Sequence, residues 1–211
     1  LDLLFQGYAS HIHINDADPA VFAFWASVTQ HSKELLELLA STPITIEEWF
    51  KWRSVLREDC QVSLVAKGFA TLFMNRTNRS GILKAGVIGG KSQEGPYKLD
   101  ARFKKDVIAT RIVEIAKRSK DITVYSEDSL SLLKRCKDFL PKESLIYLDP
   151  PYYVKGKGLY RNYYEHDDHV AIAKTIKAKS FKRHWVVSYD NADEIRAMYQ
   201  LVSTKTYGLN Y

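Results

Sequence analysis

The residues best suited to chemistry are the tetrapeptide Asp149–Tyr152, of sequence Asp-Pro-Pro-Tyr, which follows the apolar run Leu145–Leu148. The apolar run predicts a buried strand. The strand must end at Asp149, because a proline has no N–H to donate to a sheet ladder and its φ is fixed. The loop then offers a carboxylate, a rigidly held carbonyl and an aromatic ring. Such groups suit a planar substrate with an exocyclic amine, since two oxygens accept the amine protons while Tyr152 stacks on the ring, and a nucleobase is the simplest candidate.

Four short strands are predicted from apolar runs or from alternation of apolar and polar residues, at 11–16, 122–125, 144–148 and 185–189. The later strands alternate with predicted helices, and this order is typical of a parallel sheet whose active-site loops lie at the carboxyl ends of its strands. Asp16, Asp128 and Asp149 each follow a predicted strand at such an end.

Helices are predicted from apolar residues at three- and four-residue spacing, over 20–40, 46–58, 62–75, 103–119, 126–139, 166–180 and 191–199. The helices that follow the first strand form an inserted lobe, because the chain does not return promptly to the sheet. We therefore predict an α/β fold with a sheet domain at residues 1–28 and 120–211 and an inserted helical lobe at 29–119.

Positive charge is concentrated in one segment of the chain. Between Lys67 and Lys105 there are nine Lys or Arg residues and two acidic ones, an excess of seven against a net charge of +6 for the whole chain. The charges alternate with glycines and show no helical periodicity, which favours contact with phosphates over a merely solvated face. We expect Lys84 and Lys91 to make such contacts.

A second set of candidate contacts follows the third predicted helix, namely Asn75, Arg76, Asn78 and Arg79. Arginine and asparagine side chains read guanine and adenine edges through paired hydrogen bonds, and arginine also holds phosphates. For Asn75, fixing the loop is the alternative role. Tyr153 is expected either to contact DNA at the pocket or to pack behind Tyr152.

Composition restricts the class of protein further. A chain of 211 residues with 45% hydrophobic content can bury one substantial core. It has no apolar run of membrane-spanning length and no secretion signal, so we expect a cytoplasmic protein that does not enter a membrane. Neither the cysteines, Cys60 and Cys136, nor the histidines show metal-ligand spacing, and His166, His169 and His184 are expected at the surface or at helix starts.

The sequence resembles the S-adenosylmethionine-dependent amino-methyltransferases, whose signature is a strand ending in Asp/Asn-Pro-Pro-Tyr/Phe. Further segments narrow the resemblance to the D12 class of DNA adenine methylases: Ile12–Asp16 with Asp18-Pro19, Asn75–Gly81, Tyr125–Asp128 and Val187–Asn191. The resemblance implies a Rossmann-like methyltransferase sheet with an inserted DNA-recognition lobe. It also implies site-specific N6-methylation of an adenine flipped out of duplex DNA, in the cytoplasm of a bacterium or of a phage-infected cell.

The resemblance implies roles for individual residues. S-adenosyl-L-methionine would be bound by Asp16 at the ribose hydroxyls, by Asp128 and Ser129 near the adenine ring, and by Asp149. Helix capping is the alternative for Asp16 and Asp128. Double-stranded DNA is the implied partner, and a cognate restriction endonuclease is a further candidate partner.

Catalysis is expected to centre on Asp149 and the carbonyl of Pro150, with Pro151 stiffening the loop and Tyr152 stacking on the base. Two hydrogen bonds to the amine favour a pyramidal nitrogen whose lone pair can attack the methyl group, and an ionised carboxylate stabilises the positive charge that develops. A purely structural turn is the alternative.

Two other functions remain open at this point: methylation of RNA or of a protein amide, and DNA binding without catalysis. Amide-directed relatives usually carry Asn in place of Asp149 and lack a long basic insert between strands, which disfavours methylation of a protein amide. The family's Phe-x-Gly-Gly cofactor loop is absent, so we expect the chain to begin downstream of it, and Gly208–Tyr211 resembles the middle of a strand pair.

The glycine- and tyrosine-containing segment 155–164 is expected to close over extruded DNA.

Overall fold

The computed structural model describes residues 1–57, 61–154 and 164–208. It divides into two compact units, Leu1–Ser126 and Glu127–Tyr211. Each unit combines helices with a pair of parallel strands, and the predicted α/β class is confirmed at this level. Cys60 and most of the 155–164 segment lie outside the described residues.

In the first unit, strand β1 (Ile12–Asn15) pairs in parallel with β2 (Ile122–Tyr125), and Ile12 lies opposite Ile122. Both strands were predicted from the sequence. Ile12 and Ile14 pack against the core while His13 is exposed, as their alternation predicts. The pairing joins chain segments that are separated in sequence by the helices of this unit.

The helices of the first unit are α1 (Asp2–Phe5), α2 (Pro19–Gln30), α3 (Ser32–Ser41), α4 (Ile46–Arg57), α5 (Leu64–Thr77) and α6 (Lys105–Lys117). The prediction of one helix over 20–40 is wrong, because the chain breaks at His31, where φ is −134° and ψ is 37°. Just before the break, the hydroxyl of Thr29 donates to the Trp25 carbonyl at 2.9 Å, a side-chain bond of the kind that competes with the helical ladder.

Helices α2 and α5 pack with their backbones in contact at Gly68. A Cβ added to Gly68 would lie 2.4 Å from Ser27 Oγ and 2.6 Å from the Ala23 carbonyl oxygen. The hydroxyl of Thr71, one turn further along α5, donates to the Ala20 carbonyl at 2.9 Å. Position 68 must therefore be glycine for α5 to approach α2 this closely.

In the second unit, β3 (Leu145–Leu148) pairs in parallel with β4 (His184–Val187). Its helices are α7 (Ser129–Arg135), α8 (His166–Lys177) and α9 (Asp193–Met198). Ile146 and Leu148 of β3 pack against the core that these helices contribute to.

The opposite face of β3 is open, and the prediction of a buried strand is wrong for this face. Leu145 is 57% exposed and Tyr147 62% exposed. An apolar run shows that residues favour burial, but not whether elements cover both faces of the strand.

His169 was predicted at the surface or at a helix start; it lies in the first turn of α8 but is buried, with 1% of its surface exposed. It precedes Ile172, Ala173 and Ile176 on the inner stripe of α8. Its Nδ1 lies 2.9 Å from the hydroxyl of Tyr189, and burial lowers the pKa of its imidazole below the ordinary value.

The described residues contain neither a metal-binding cluster nor a membrane-spanning helix. No group of three or more His, Cys, Asp or Glu side chains there is arranged to hold a metal ion. In the same residues, no helix combines the length and the apolar character needed to cross a membrane.

Replacing Gly68 with Ala is expected to lower the free energy of unfolding by about 1–3 kcal/mol, because a Cβ overpacks the contact between α2 and α5. Alanine is intrinsically the better helix former, so a loss of stability can only come from the tertiary contact. Urea denaturation measures it. Gly208→Ala, where a Cβ meets nothing within 4 Å, is the control, and equal stabilities of the two variants would contradict the packing argument.

Candidate functional site

The predicted catalytic loop begins immediately after β3. Asp149 is exposed, and Pro150, Pro151 and Tyr152 are half-buried. Leu148 and Val187 are register partners in the parallel sheet, so the next residues, Asp149 and Ser188, lie side by side. The Ser188 hydroxyl donates to Asp149 Oδ1 at 2.6 Å, and its backbone N–H donates to the Leu148 carbonyl at 3.0 Å.

A second hydroxyl, that of Tyr147, lies next to the hydroxyl of Ser188. The phenol oxygen of Tyr147 lies 3.0 Å from Ser188 Oγ. Because the single hydroxyl proton of Ser188 goes to Asp149, the phenol of Tyr147 must be the donor in this second bond. Among the described residues, neither Asp149 Oδ2 nor the Pro150 carbonyl receives a hydrogen bond, so the loop presents the two acceptors that the sequence predicts.

The far end of the loop is held by Asp190. Its Oδ1 accepts the backbone N–H of Tyr153 at 2.8 Å and its Oδ2 accepts that of Val154 at 2.9 Å. Ser188 and Asp190 both follow β4, so the end of one strand organises the loop that leaves its neighbour. Neither residue was predicted as a site residue. The only available signal was their position in the Val187–Asn191 segment that carries part of the family resemblance.

Tyr153 packs within the second unit, and its packing behind Tyr152, the alternative to DNA contact, stays a prediction. Its hydroxyl lies 2.9 Å from His166 Nδ1, and its ring centroid is 5.2 Å from that of His169. The side chain packs against the core of the second unit. A contact of Tyr153 with DNA stays a prediction.

Asp16 directly follows β1 and is half-buried. Its backbone N–H donates to the Tyr125 carbonyl at 3.4 Å, and its Oδ1 accepts the N–H of Asp18 at 2.8 Å. Burial raises the pKa of the Asp16 carboxyl above its ordinary value. The cap of α2 is Asp18, whose Oδ1 accepts the N–H of Ala20 at 2.8 Å. The capping alternative therefore belongs to Asp18, and no donor to Asp16 Oδ2 is found in the described ranges.

Asp128 and Ser129 lie at the start of α7 in the second unit. Asp128 Oδ1 accepts hydrogen bonds from the N–H and the hydroxyl of Ser131, at 2.9 and 3.0 Å. Asp128 is thus the N-cap of α7, which confirms the capping alternative for this residue. The predicted contacts of Asp128 and Ser129 with a cofactor stay predictions.

After α5 ends at Thr77, the basic segment is irregular, as predicted, but Asn78 does not have the surface position that its predicted contact with DNA requires. Asn78 is fully buried. Its Oδ1 accepts the indole N–H of Trp49 at 2.8 Å, and its Nδ2 donates to the carbonyls of Ile82 and Leu83, each at 3.0 Å. Every polar group of the amide is satisfied inside the protein, so Asn78 organises the loop and is not placed to read a base.

Asn75 is also engaged within the loop, since its Nδ2 donates to the Gly81 carbonyl at 3.0 Å. This bond corresponds to the loop-fixing alternative. Gly81 has a φ of +74°, in the left-handed region that favours glycine. The side chains of Asn75 and Asn78 therefore hold the turn that follows α5.

The predicted contacts Arg79, Lys84 and Lys91 are exposed. The guanidinium of Arg79 lies over Gly86, where an added Cβ would be 2.9 Å from it. By contrast, Lys105 Nζ donates to the carbonyls of Ala40 and Thr42, at 2.9 and 2.7 Å. The ammonium group of Lys105 is therefore bound to carbonyls at the end of α3. The net charge of the basic segment thus overstates the positive charge that is available to a ligand.

Arg76 belongs to a cluster of three arginines. Burial of its guanidinium, and then the nearby charges of Arg102 and Arg111, lower the pKa of Arg76 below its ordinary value. Its Nε is buried, with no hydrogen-bond partner in the part of the chain that the structure describes. Arg102 and Arg111 are exposed. In the described ranges no ion pair joins any of these three arginines to an acid, and neighbouring cations of this kind create a positive potential that favours an anion.

Arg111 was not predicted because it lies on α6, beyond the basic segment. Its relation to Arg76 depends on the packing of the helices. No charge count along the chain could have found it.

The sequence profile of the family described as D12 class N6 adenine-specific DNA methyltransferase matches residues 5–208. That range includes the loop after β3, the acidic residue after β1 and the basic segment. No curated protein matches the chain.

Proposed function

The chain belongs to the D12 class of N6 adenine-specific DNA methyltransferases, and we propose that methyl transfer takes place at the loop Asp149–Tyr152. The proposed acceptor is an adenine flipped out of duplex DNA at a specific site. The observation that carries the proposal is the pair of acceptors, Asp149 Oδ2 and the Pro150 carbonyl, at the end of a parallel strand. RNA and protein amides are not the substrate class of this family.

The chemistry follows from these groups. Asp149 Oδ2 and the Pro150 carbonyl accept the two protons of the adenine amine, which directs the nitrogen lone pair away from the ring. The carboxylate would stabilise the positive charge that develops on nitrogen as the nitrogen–methyl bond forms and the sulfur–methyl bond breaks, with the bonding electrons left on sulfur. The methylated amine then loses one proton to solvent, which restores a neutral base. Tyr152 stacks on the base and fixes its plane. The main contribution of the protein is alignment, so no covalent intermediate with a side chain is required.

S-adenosyl-L-methionine is the proposed methyl donor, and when bound it supplies an electrophilic methyl group on sulfur. Asp16 fits the ribose of this cofactor, because it is a half-buried carboxylate with one oxygen that no described donor occupies, and a carboxylate accepts hydrogen bonds from paired hydroxyls. Asp128 and Ser129 are the proposed contacts near its adenine ring.

DNA is proposed to contact the basic segment and the arginine cluster. Arg76, Arg102 and Arg111 would hold a backbone phosphate, while the exposed Arg79, Lys84 and Lys91 extend the positive surface. Family membership supports a Rossmann-like sheet domain at residues 1–28 and 120–211, with 29–119 as the inserted recognition lobe. A cognate restriction endonuclease stays a prediction.

Replacing Asp149 with Ala is expected to abolish methyl transfer and to leave duplex DNA binding nearly unchanged, because the carboxylate acts on the amine only after the base is extruded. Transfer of labelled methyl groups to duplex DNA measures the first effect and fluorescence anisotropy the second. Asp138→Ala, which removes an exposed carboxylate elsewhere in the second unit, is the control. Near-normal turnover of Asp149→Ala would refute the proposed site.

Replacing Asp16 with Asn should weaken binding of S-adenosylhomocysteine by about 1.5–3 kcal/mol, the loss expected for hydrogen bonds to a charged group. Asp18→Asn is the matched control, since Asn is as good a helix cap as Asp. Because burial raises the pKa of Asp16, the wild-type carboxylate is protonated at a higher pH than an ordinary aspartate. The affinity for S-adenosylhomocysteine, measured by calorimetry, should therefore fall as the pH is lowered for the wild-type protein and for Asp18→Asn. It should not fall for Asp16→Asn, which has no carboxyl to protonate.

Replacing Arg111 with Gln is expected to weaken binding to all duplex sequences alike and to reduce the slope of log affinity against log salt by about one unit. Without DNA, the same change should not lower stability at low ionic strength, because it relieves repulsion among three cations. Lys117→Gln removes one exposed charge from the same helix as the control. If both variants bind DNA with equal affinity and slope, Arg111 does not contact phosphate.

A further inference from the structure

Asp149 needs a fixed orientation to act as proposed, yet it is exposed at the first residue of a loop. An exposed aspartate samples several side-chain rotamers. Alignment of reacting groups is the main source of catalysis in this reaction, so rotation of the carboxylate would reduce the rate. In the described residues, the hydrogen bond from Ser188 is the side-chain contact that holds it.

The three side chains of the hydrogen-bonded chain share one face of the sheet. Tyr147 and Asp149 are two residues apart on β3 and its continuation, so they point to the same side. Ser188 occupies the neighbouring position on the continuation of β4. The chain runs from Tyr147 through Ser188 to Asp149 Oδ1, at 3.0 and 2.6 Å.

We propose that Ser188, itself oriented by Tyr147, is a positioning residue that holds Asp149 Oδ1 so that Oδ2 faces the target amine. This inference rests on the proposed catalytic role of Asp149. Neither hydroxyl contacts the substrate. The Tyr147 hydroxyl donates a hydrogen bond to the Ser188 oxygen. Ser188 then keeps its own hydroxyl proton directed at the Asp149 carboxylate.

A purely structural role for Ser188 explains the arrangement less well. Its backbone N–H already completes the pairing of the two strands through the Leu148 carbonyl. The hydrogen bond to Asp149 is exposed, and a bond in contact with water contributes little net stability. The hydroxyl is therefore placed where it affects the geometry of the carboxylate far more than the stability of the fold.

The test measures the single-turnover rate constant of methyl transfer to duplex DNA, which product release does not mask. Ser188→Ala is expected to lower this rate constant about 10- to 100-fold, the scale of loss from small misplacement of a reacting group. Affinities for duplex DNA and S-adenosylhomocysteine, and the melting temperature, should stay at wild-type values. Ser188→Thr keeps the hydroxyl and should recover most of the rate, and Tyr147→Phe should cause a smaller loss. Ser180→Ala, at an exposed position in the same unit, is the control.

The outcomes separate this inference from the proposed site. A wild-type rate for Ser188→Ala, with Asp149→Ala inactive, overturns the role of Ser188 and leaves the site standing. Wild-type rates for both variants refute the site itself. A parallel fall of rate, melting temperature and DNA affinity in Ser188→Ala would show a structural role and would also overturn the inference.

Discussion

The missing backbone N–H groups of Pro150 and Pro151 are the constraint on which the candidate active site depends. Two successive prolines cannot be tied to the neighbouring strand by a ladder, so the loop must be held by other means. Side chains at the end of β4 do this: Ser188 holds the residue before the prolines, and Asp190 accepts the N–H groups of Tyr153 and Val154 beyond them. The carbonyl of Pro150 is left without a described donor, and a substrate amine can use it.

The first unit uses the end of its parallel pair in a related way. The hydrogen bond from Asp16 to Tyr125 extends the pairing of β1 and β2, and Asp18 takes over the capping of α2. Asp16 therefore does not cap the helix that follows it. Contact of α2 with α5 at Gly68 then joins the segment after Asp16 to the helix that carries Arg76, so the proposed cofactor and DNA contacts of this unit are built on one hydrophobic core.

The sequence predicted the features that depend on local chemistry. Proline ends β3 and alternating isoleucines form β1, each for reasons contained in a few residues. The break at His31 was missed because apolar periodicity continues across it. The roles of Ser188, Asp190 and Arg111 depend on strand register and helix packing, which bring distant segments together. The predicted DNA contact of Asn78 is wrong because an amide side chain can form hydrogen bonds either with a base or with its own loop. Burial distinguishes these two roles, and it is not visible in the sequence.

The proposed roles of the two carboxylates are consistent with their different environments. Asp149 is exposed, which lets a bulky base reach it, and its orientation depends on one serine hydroxyl. Asp16 is half-buried, and burial raises the pKa of its carboxyl, so the charged form is costly until donors reach it. Paired hydroxyls of a ribose would offset that cost, whereas the side chain of Asp149 is exposed to solvent. The two proposed roles thus match the two environments: a half-buried carboxylate suits a small ligand with paired donors, and an exposed one leaves room for a planar base.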